Sequence, residues 1–367
     1  MNSDLVIGIV VGAALLFAFS NGFHDTLDVI STALSSGAAP PQVALILAAV
    51  LNFLGAFVSI EVAATIVNDV VVVGEISATV VFAGVLAGIA WNLLTWWFGY
   101  PSSSSHALIG GVVGAALAAA GTAALDGRGL LDRVLLPALA APLVAFLAGG
   151  ALIVLAYLLF GRRRPGPVSR GFRSAQVISG GLLAAAHGAN DAQKTSGVIT
   201  LALVASGSLA ASSDPPLWAI FGAAAAIALG TYSGGWRILR GGGARIIKMD
   251  PAQGFSAQSG GAVTIVVATA LGFPISTTHA INGGVMGAGT VRRVSAQRWG
   301  IAGNIIAAWL LTLPAAAVIG AALYGVARLF GTGAAGPVAE TVAAVALAIV
   351  LLARASSRRG AAAAARG

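Results

Sequence analysis

Apolar runs long enough to cross a lipid bilayer, which takes about 20 residues each, recur from Leu5 to Leu352 with only short gaps between them. A soluble domain carries roughly a quarter charged residues, whereas this chain of 367 residues is 9% charged and 58% hydrophobic, with a mean hydropathy of +0.93. The expected class is an all-α polytopic membrane protein embedded in the lipid bilayer. No cysteine is present, which excludes a disulfide framework, iron-sulfur clusters and thiolate metal sites. The net charge of +8 is carried in short loops between apolar segments. There it reports membrane orientation, and nucleic acid is not an expected partner. The first apolar run, Leu5 to Phe19, lacks a basic flank and leads into polar residues, so it is expected to stay in the fold and not to be cleaved as a signal.

Self-similarity organises the rest. Asn21-Gly22-Phe23-His24-Asp25 matches His187-Gly188-Ala189-Asn190-Asp191 at an offset of 166, with Asn and His exchanged. Pro101-Ser102-Ser103-Ser104-Ser105-His106-Ala107, followed by Gly110-Gly111, matches Pro274-Ile275-Ser276-Thr277-Thr278-His279-Ala280, followed by Gly283-Gly284, at an offset of 173. Two landmarks in one order at nearly one offset predict a duplicated unit. The expected division is a first transmembrane repeat over 1–160, a basic cytoplasmic linker over 161–173 and a second repeat over 174–330. A C-terminal transmembrane helix over 331–353 and a basic cytoplasmic tail over 354–367 complete it.

Loop charges set the orientation, because Lys and Arg concentrate on the cytoplasmic side. Arg162, Arg163, Arg164, Arg170 and Arg173 join the repeats; Arg237, Arg240, Arg245 and Lys248 come next; Arg292, Arg293 and Arg298 follow the second hairpin motif; Arg354, Arg358, Arg359 and Arg366 end the chain. All are expected in the cytoplasm, while the acidic linkers Asn68 to Glu75 and Ser206 to Pro216 face outside. With both its flanks inside, Gly254 to Val291 must enter the membrane and return as a re-entrant helical hairpin. Its counterpart, Ser77 to Gly121, then enters from outside, which places the N-terminus outside and makes the repeats inverted.

An ionised side chain at mid-membrane costs several kcal/mol and usually faces a cavity. Asp25, Asp28, Glu61 and Asp191 fall in apolar surroundings, and all four histidines, His24, His106, His187 and His279, lie in the repeated motifs. A glycine among polar side chains is a place where a membrane helix can break and turn carbonyls inward. Asn21, Asp25, Asp28, Asn190 and Asp191 supply hard oxygen ligands that suit Na⁺ or a proton. Na⁺ at Asp25 and Asp191 is the metal site considered, with no firm metal centre.

In the hairpins Pro ends one helix, and a hydroxyl run, Ser103, Ser104 and Ser105 or Ser276, Thr277 and Thr278, caps the next. Free N–H groups, the helix dipole and hydroxyls then form an anion site without Lys or Arg. An oxyanion near Asp25 and Asp191 is repelled unless cations or protons bind with it, and this is a symport argument. Lys194, beside Asn190-Asp191, is expected to pair with an acid.

The motifs Asn21-Gly22-Phe23-His24-Asp25-Thr26, Gly188-Ala189-Asn190-Asp191-Ala192-Gln193-Lys194 and the two Ser/Thr-His hairpins resemble the inorganic phosphate transporter (PiT) family, in its bacterial low-affinity branch. The resemblance covers both halves. It implies uptake of inorganic phosphate with H⁺ or Na⁺ by inverted repeats moving around a central site in the cell inner (plasma) membrane, with phosphate carried in some relatives as a neutral metal-phosphate complex. It assigns Asp25, Asn190 and Asp191 to cation coupling and the six hairpin hydroxyls to phosphate. Where the family has Ala-Asn-Ala after Asp-Thr, this chain has Leu27-Asp28-Val29, which leaves the coupling ion open between H⁺ and Na⁺. No cofactor is expected.

Competing readings are a symporter for sulfate or another oxyanion, a passive anion channel, and an intramembrane hydrolase built on Ser104 or Ser105 with His106. Adjacent Ser and His at a helix start point apart and have no oxyanion hole, so no enzyme is expected. HPO₄²⁻ has a hydrogen-bond donor that sulfate lacks, which Asp25 or Asp28 can accept. Gly149-Gly150 serves a homodimer interface or internal packing equally well.

Overall fold

The computed structural model describes residues 2–98, 102–211, 213–240, 249–291, 299–331 and 333–346. Pro101, Arg245, Lys248, Arg292, Arg293, Arg298 and the tail bearing Arg354, Arg358, Arg359 and Arg366 lie outside them, as do the Arg237 and Arg240 side chains. The described chain is helical almost throughout. In order come α1 (Asn2–Ser35), α2 (Pro41–Gly55), α3 (Glu61–Asn68), α4 (Ala78–Phe98) and α5 (Ser104–Ala120). A single turn, α6 (Gly127–Gly129), runs through a π turn into α7 (Leu136–Phe160). The second half holds α8 (Pro165–Ala205), α9 (Leu217–Arg240), α10 (Pro251–Ala270), α11 (Thr277–Thr290) and α12 (Trp299–Leu329). Six of the described helices are long and apolar enough to cross a membrane, and a shorter apolar helix, α13 (Ala335–Ala346), follows. Of the C-terminal helix expected over 331–353, 347–353 lie outside the described residues.

Burial runs opposite to that of a soluble protein. Leu139, Leu143, Leu147 and Leu158 of α7 and Leu310, Leu311 and Val318 of α12 point outward, while Asn21, Asp25, His187, Asp191, Gln193 and Lys194 are buried. Lipid is as apolar as leucine, so contacts between helices rest on close packing and hydrogen bonds. Small residues provide the close packing. Gly110 lies against the Leu313 carbonyl and Gly114 against that of Ala317, which seats α5 on α12, while Gly283 and Gly287 seat α11 on Pro142 and Phe146 of α7. Gly22 lies against Ile227 of α9, and Gly188 against Asn52 of α2. The halves are thus interlocked: each hairpin's second helix, and each long motif helix, packs on an element from the other half.

Two sequence expectations change. The helix was expected to break at Gly22 and Gly188, yet α1 and α8 remain helical through Asn21–Asp25 and His187–Asp191. The missing Cβ atoms serve close approach by a neighbouring backbone, and keeping the helical bonds costs less than freeing polar groups in a dry interior. Glu61, expected in apolar surroundings, is exposed at the start of α3. The helix α8 also begins at Pro165, so most of the basic segment joining the halves is helical.

Both hairpins form. In the second, α10 turns back at Leu271–Ser276 into α11; in the first, α4 is followed by α5, whose start lies beside the same point. The His106 and His279 rings meet edge to face with centroids 4.8 Å apart, so the two tips abut inside the protein.

Candidate functional site

Each tip is built alike. Ser103 Oγ accepts the His106 backbone N–H at 3.1 Å, and Ser276 Oγ accepts that of His279 at 3.2 Å. A capped start leaves further first-turn N–H groups without intrahelical acceptors and presents the positive end of the helix dipole. The next hydroxyl on each helix reaches the aspartate of its own half. Ser104 Oγ donates to Asp25 Oδ2 at 3.2 Å and to Asn21 Oδ1 at 3.1 Å, and Thr277 Oγ1 donates to Asp191 Oδ2 at 3.0 Å.

Between the tips the two aspartates share a buried cluster. His187 Nε2 lies 3.1 Å from Asp191 Oδ2 and 3.8 Å from Asp25 Oδ2, and Asn21 Nδ2 donates to Asp191 Oδ2 at 3.2 Å. His24 Nδ1 is 2.8 Å from Asp25 Oδ1. One donor atom from each of Asp25, His187 and Asp191 lies within 4.8 Å of the others, a grouping of the kind that can hold a metal ion. The exchange of Asn and His between the motifs has a consequence here: Asn21 and His187 each reach across to the other half's aspartate.

Lys194 has all three ammonium protons engaged. It donates to Asp191 Oδ1 at 2.5 Å, to Ser105 Oγ at 2.6 Å and to the Ile275 carbonyl at 2.6 Å. It therefore pairs with an acid, as the sequence led us to expect, and also fastens both hairpin tips to α8. Among these groups one ammonium stands against two carboxylates, and the imidazoles can carry the balance.

The remaining site residues take other places. Asp28 is half-buried and faces the Thr278 hydroxyl at the second tip, within electrostatic reach of Asp25, His24 and His187. Asn190 does not join the carboxylate pair in these contacts: its Nδ2 donates to Thr269 Oγ1 at 2.9 Å and to the Phe273 carbonyl at 3.0 Å, which braces the second hairpin. Its Oδ1 is buried without a partner. His106 and His279 face each other and not the carboxylates, and His279 also stacks on Trp309 of α12 with centroids 4.1 Å apart. Both His106 ring nitrogens and the Trp309 Nε1 have no hydrogen-bond partner.

Asn52 was missed in the sequence. Fully buried, its Oδ1 lies 2.8 Å from His187 Nδ1 and its Nδ2 donates to Thr231 Oγ1 at 3.0 Å, so α2 and α9 orient the imidazole between the aspartates. Its signal was the lone amide in the apolar run Leu45 to Gly55.

A model of the phosphate transporter family matches residues 21–320. A probable low-affinity inorganic phosphate transporter of Mycobacterium tuberculosis (strain CDC 1551 / Oshkosh) is 46% identical over 324 residues, covering 88% of this chain and 78% of that protein. A protein of the same description from Bacillus subtilis (strain 168) is 42% identical over 318 residues, 86% of this chain and 95% of its own. Among solved structures, one described as the sodium-dependent phosphate transporter superposes with a TM-score of 0.80 at 25% identity, covering 88% of this chain and 99% of that one. The relatives are transporters and not enzymes. With both aspartate motifs and both hairpin tips inside the matched span, the chain belongs to the phosphate transporter family.

Proposed function

We propose that this protein imports inorganic phosphate by symport with H⁺ or Na⁺, through alternating access around the Asp25–Asp191 cluster. One observation carries the reading: two hydroxyl-capped helix starts, one from each half, converge on two buried aspartates. The hydroxyls and free N–H groups of Ser103, Ser104, Ser105, Ser276, Thr277 and Thr278 receive the phosphate, and Asp25 and Asp191 take the cation, with Asn190 and Asp28 at its margin. Two like charges about 5 Å apart repel by about 3 kcal/mol at an effective dielectric near 20. A phosphate dianion at the tips therefore binds well only when the carboxylates are neutralised by a cation or protons. A neutral metal-phosphate complex satisfies the same requirement. The sodium-dependent transporter of like fold supports Na⁺, and the imidazoles on each carboxylate support H⁺. The repeats are inverted, with the N-terminus outside and the segment 161–173 in the cytoplasm, and the protein resides in the cell inner membrane. The interlocked packing favours movement of one hairpin layer against the other around the fixed aspartates.

Uptake of radiolabelled phosphate into proteoliposomes tests this. Under an imposed Na⁺ or proton gradient, accumulation above equilibrium is expected, with excess sulfate having no effect. Uptake that only equilibrates is the behaviour of a channel, and competition by sulfate would make the substrate an oxyanion of another kind.

A further inference from the structure

The two hairpins are alike in fold but not in chemistry, and the difference lies at one position. In the first hairpin Gly84 lies against Val112 and Gly88 against Leu108, so the antiparallel register next places Asn92 across from Ser104, four residues further along each helix. The same face of α4 is fixed on both sides of Asn92: Gly88 also lies against Phe17 of α1, and Thr95 Oγ1 is 2.7 Å from Ser102 Oγ at the tip. Asn92 is 2% exposed, and neither its Oδ1 nor its Nδ2 has a hydrogen-bond partner. In the second hairpin Gly261 lies against Ile281, and the equivalent step puts the fully buried Ile265 across from Thr277.

A buried carboxamide with its whole hydrogen-bonding capacity unspent costs about 1–3 kcal/mol. Such a residue calls for a partner that its protein neighbours do not supply, an ordered water or an ion among them. Ser104, which the register sets across from Asn92, contacts Asp25 Oδ2 and Asn21 Oδ1, so the oxygens gathered at this tip are a carboxylate, an amide and a hydroxyl, and the unpartnered Asn92 carboxamide lies on the α4 face turned toward them. An all-oxygen set with a single acid suits a hard, weakly charged ion.

We propose that Asn92 is a ligand for an alkali cation bound in the first half only, with Asp25, Asn21 and Ser104. This rests on the cation-coupled reading above and adds to it an asymmetry: the first tip holds an ion that the second, with Ile265 in the equivalent place, does not hold in the same way.

The test is phosphate uptake by the full chain in proteoliposomes, with external Na⁺ titrated at fixed pH and pH titrated at fixed Na⁺. Asn92→Leu should raise the half-saturating Na⁺ concentration about tenfold, the loss of one ligand worth about 1.4 kcal/mol, while KM for phosphate at saturating Na⁺ stays within about twofold. Asn92→Ser, smaller and still polar but too short to reach, should do the same and serves if the leucine variant does not fold. Asn92→Asp keeps an oxygen and adds a negative charge, so it should lower the half-saturating Na⁺ concentration below that of the wild type. An unchanged Na⁺ dependence, or a change confined to phosphate KM, overturns the inference. Wild-type uptake that responds to pH but to no alkali cation overturns it and leaves proton symport standing, whereas uptake independent of both removes the symport reading as well.

Discussion

Asp25→Asn is expected to lower cation-driven phosphate uptake by about a hundredfold while the purified protein keeps the elution profile and thermal stability of the wild type. The carboxylate is met by His24 Nδ1 at 2.8 Å and the Ser104 hydroxyl at 3.2 Å, and an amide replaces it with groups of the same shape in bonding distance. What it removes is the negative charge that draws the cation, and a hundredfold corresponds to about 2.8 kcal/mol. Asp191→Asn should lose uptake to the same extent and stability as well. Lys194 is buried, and its remaining contacts are a hydroxyl and a carbonyl, so the variant strands an ammonium in the interior. Breaking a buried pair in this way costs about 3–5 kcal/mol. Adding Lys194→Gln should restore most of the stability and none of the uptake. Lys194→Gln alone should weaken transport and change its pH profile, since Asp191 then keeps the His187 imidazole as its only titratable partner among these contacts. Uptake at the wild-type rate in Asp25→Asn or Asp191→Asn would remove both aspartates from the coupling.

Gly188→Ala should be among the most disruptive single methyl additions in the chain. A Cβ there meets the backbone oxygen, carbonyl carbon and Cα of Asn52, none of which can rotate away. Separating α8 from α2 to admit it would also pull Asn52 from His187, whose orientation between the aspartates depends on that 2.8 Å contact. Overpacking of this kind costs about 1–3 kcal/mol or more. A lower unfolding temperature with severely reduced uptake is expected. Gly8, with nothing within 4 Å of its Cβ position, is the control and should tolerate alanine. Equal stability of the two variants would contradict the packing described for α8.

Much of this site was legible in the chain because membrane burial makes polar residues conspicuous. Asp25, Asp191, Lys194 and the hairpin hydroxyls stood out against long apolar runs, and the duplication supplied the pairing. Pairing of Lys194 with an acid followed from the cost of burying its charge. Local backbone was harder to read: glycine among polar residues is compatible with an unwound helix or a close contact, and only the neighbouring helix decides between them. Asn190 has contacts that the chain did not reveal, for a related reason. Its motif is the mirror of His24-Asp25, but Thr269 and the Phe273 carbonyl, distant in sequence, take its amide. Asn52 and Asn92 belong to no repeated motif, so nothing in the duplication pointed to them. The interlocking of the halves was likewise invisible, because it rests on which glycine meets which backbone.

The central claim is that phosphate binding and cation binding are one linked equilibrium at the Asp25–Asp191 cluster. Binding of radiolabelled phosphate to the purified protein, without a membrane gradient, tests this most directly when Na⁺ and pH are each varied. Linkage requires that a cation which tightens phosphate binding is itself tightened by phosphate to the same factor. The account predicts an affinity that rises at least tenfold with Na⁺ or with falling pH, and no such rise in Asp25→Asn. Phosphate affinity that is the same with and without the cation, or the same rise in the variant, would contradict it.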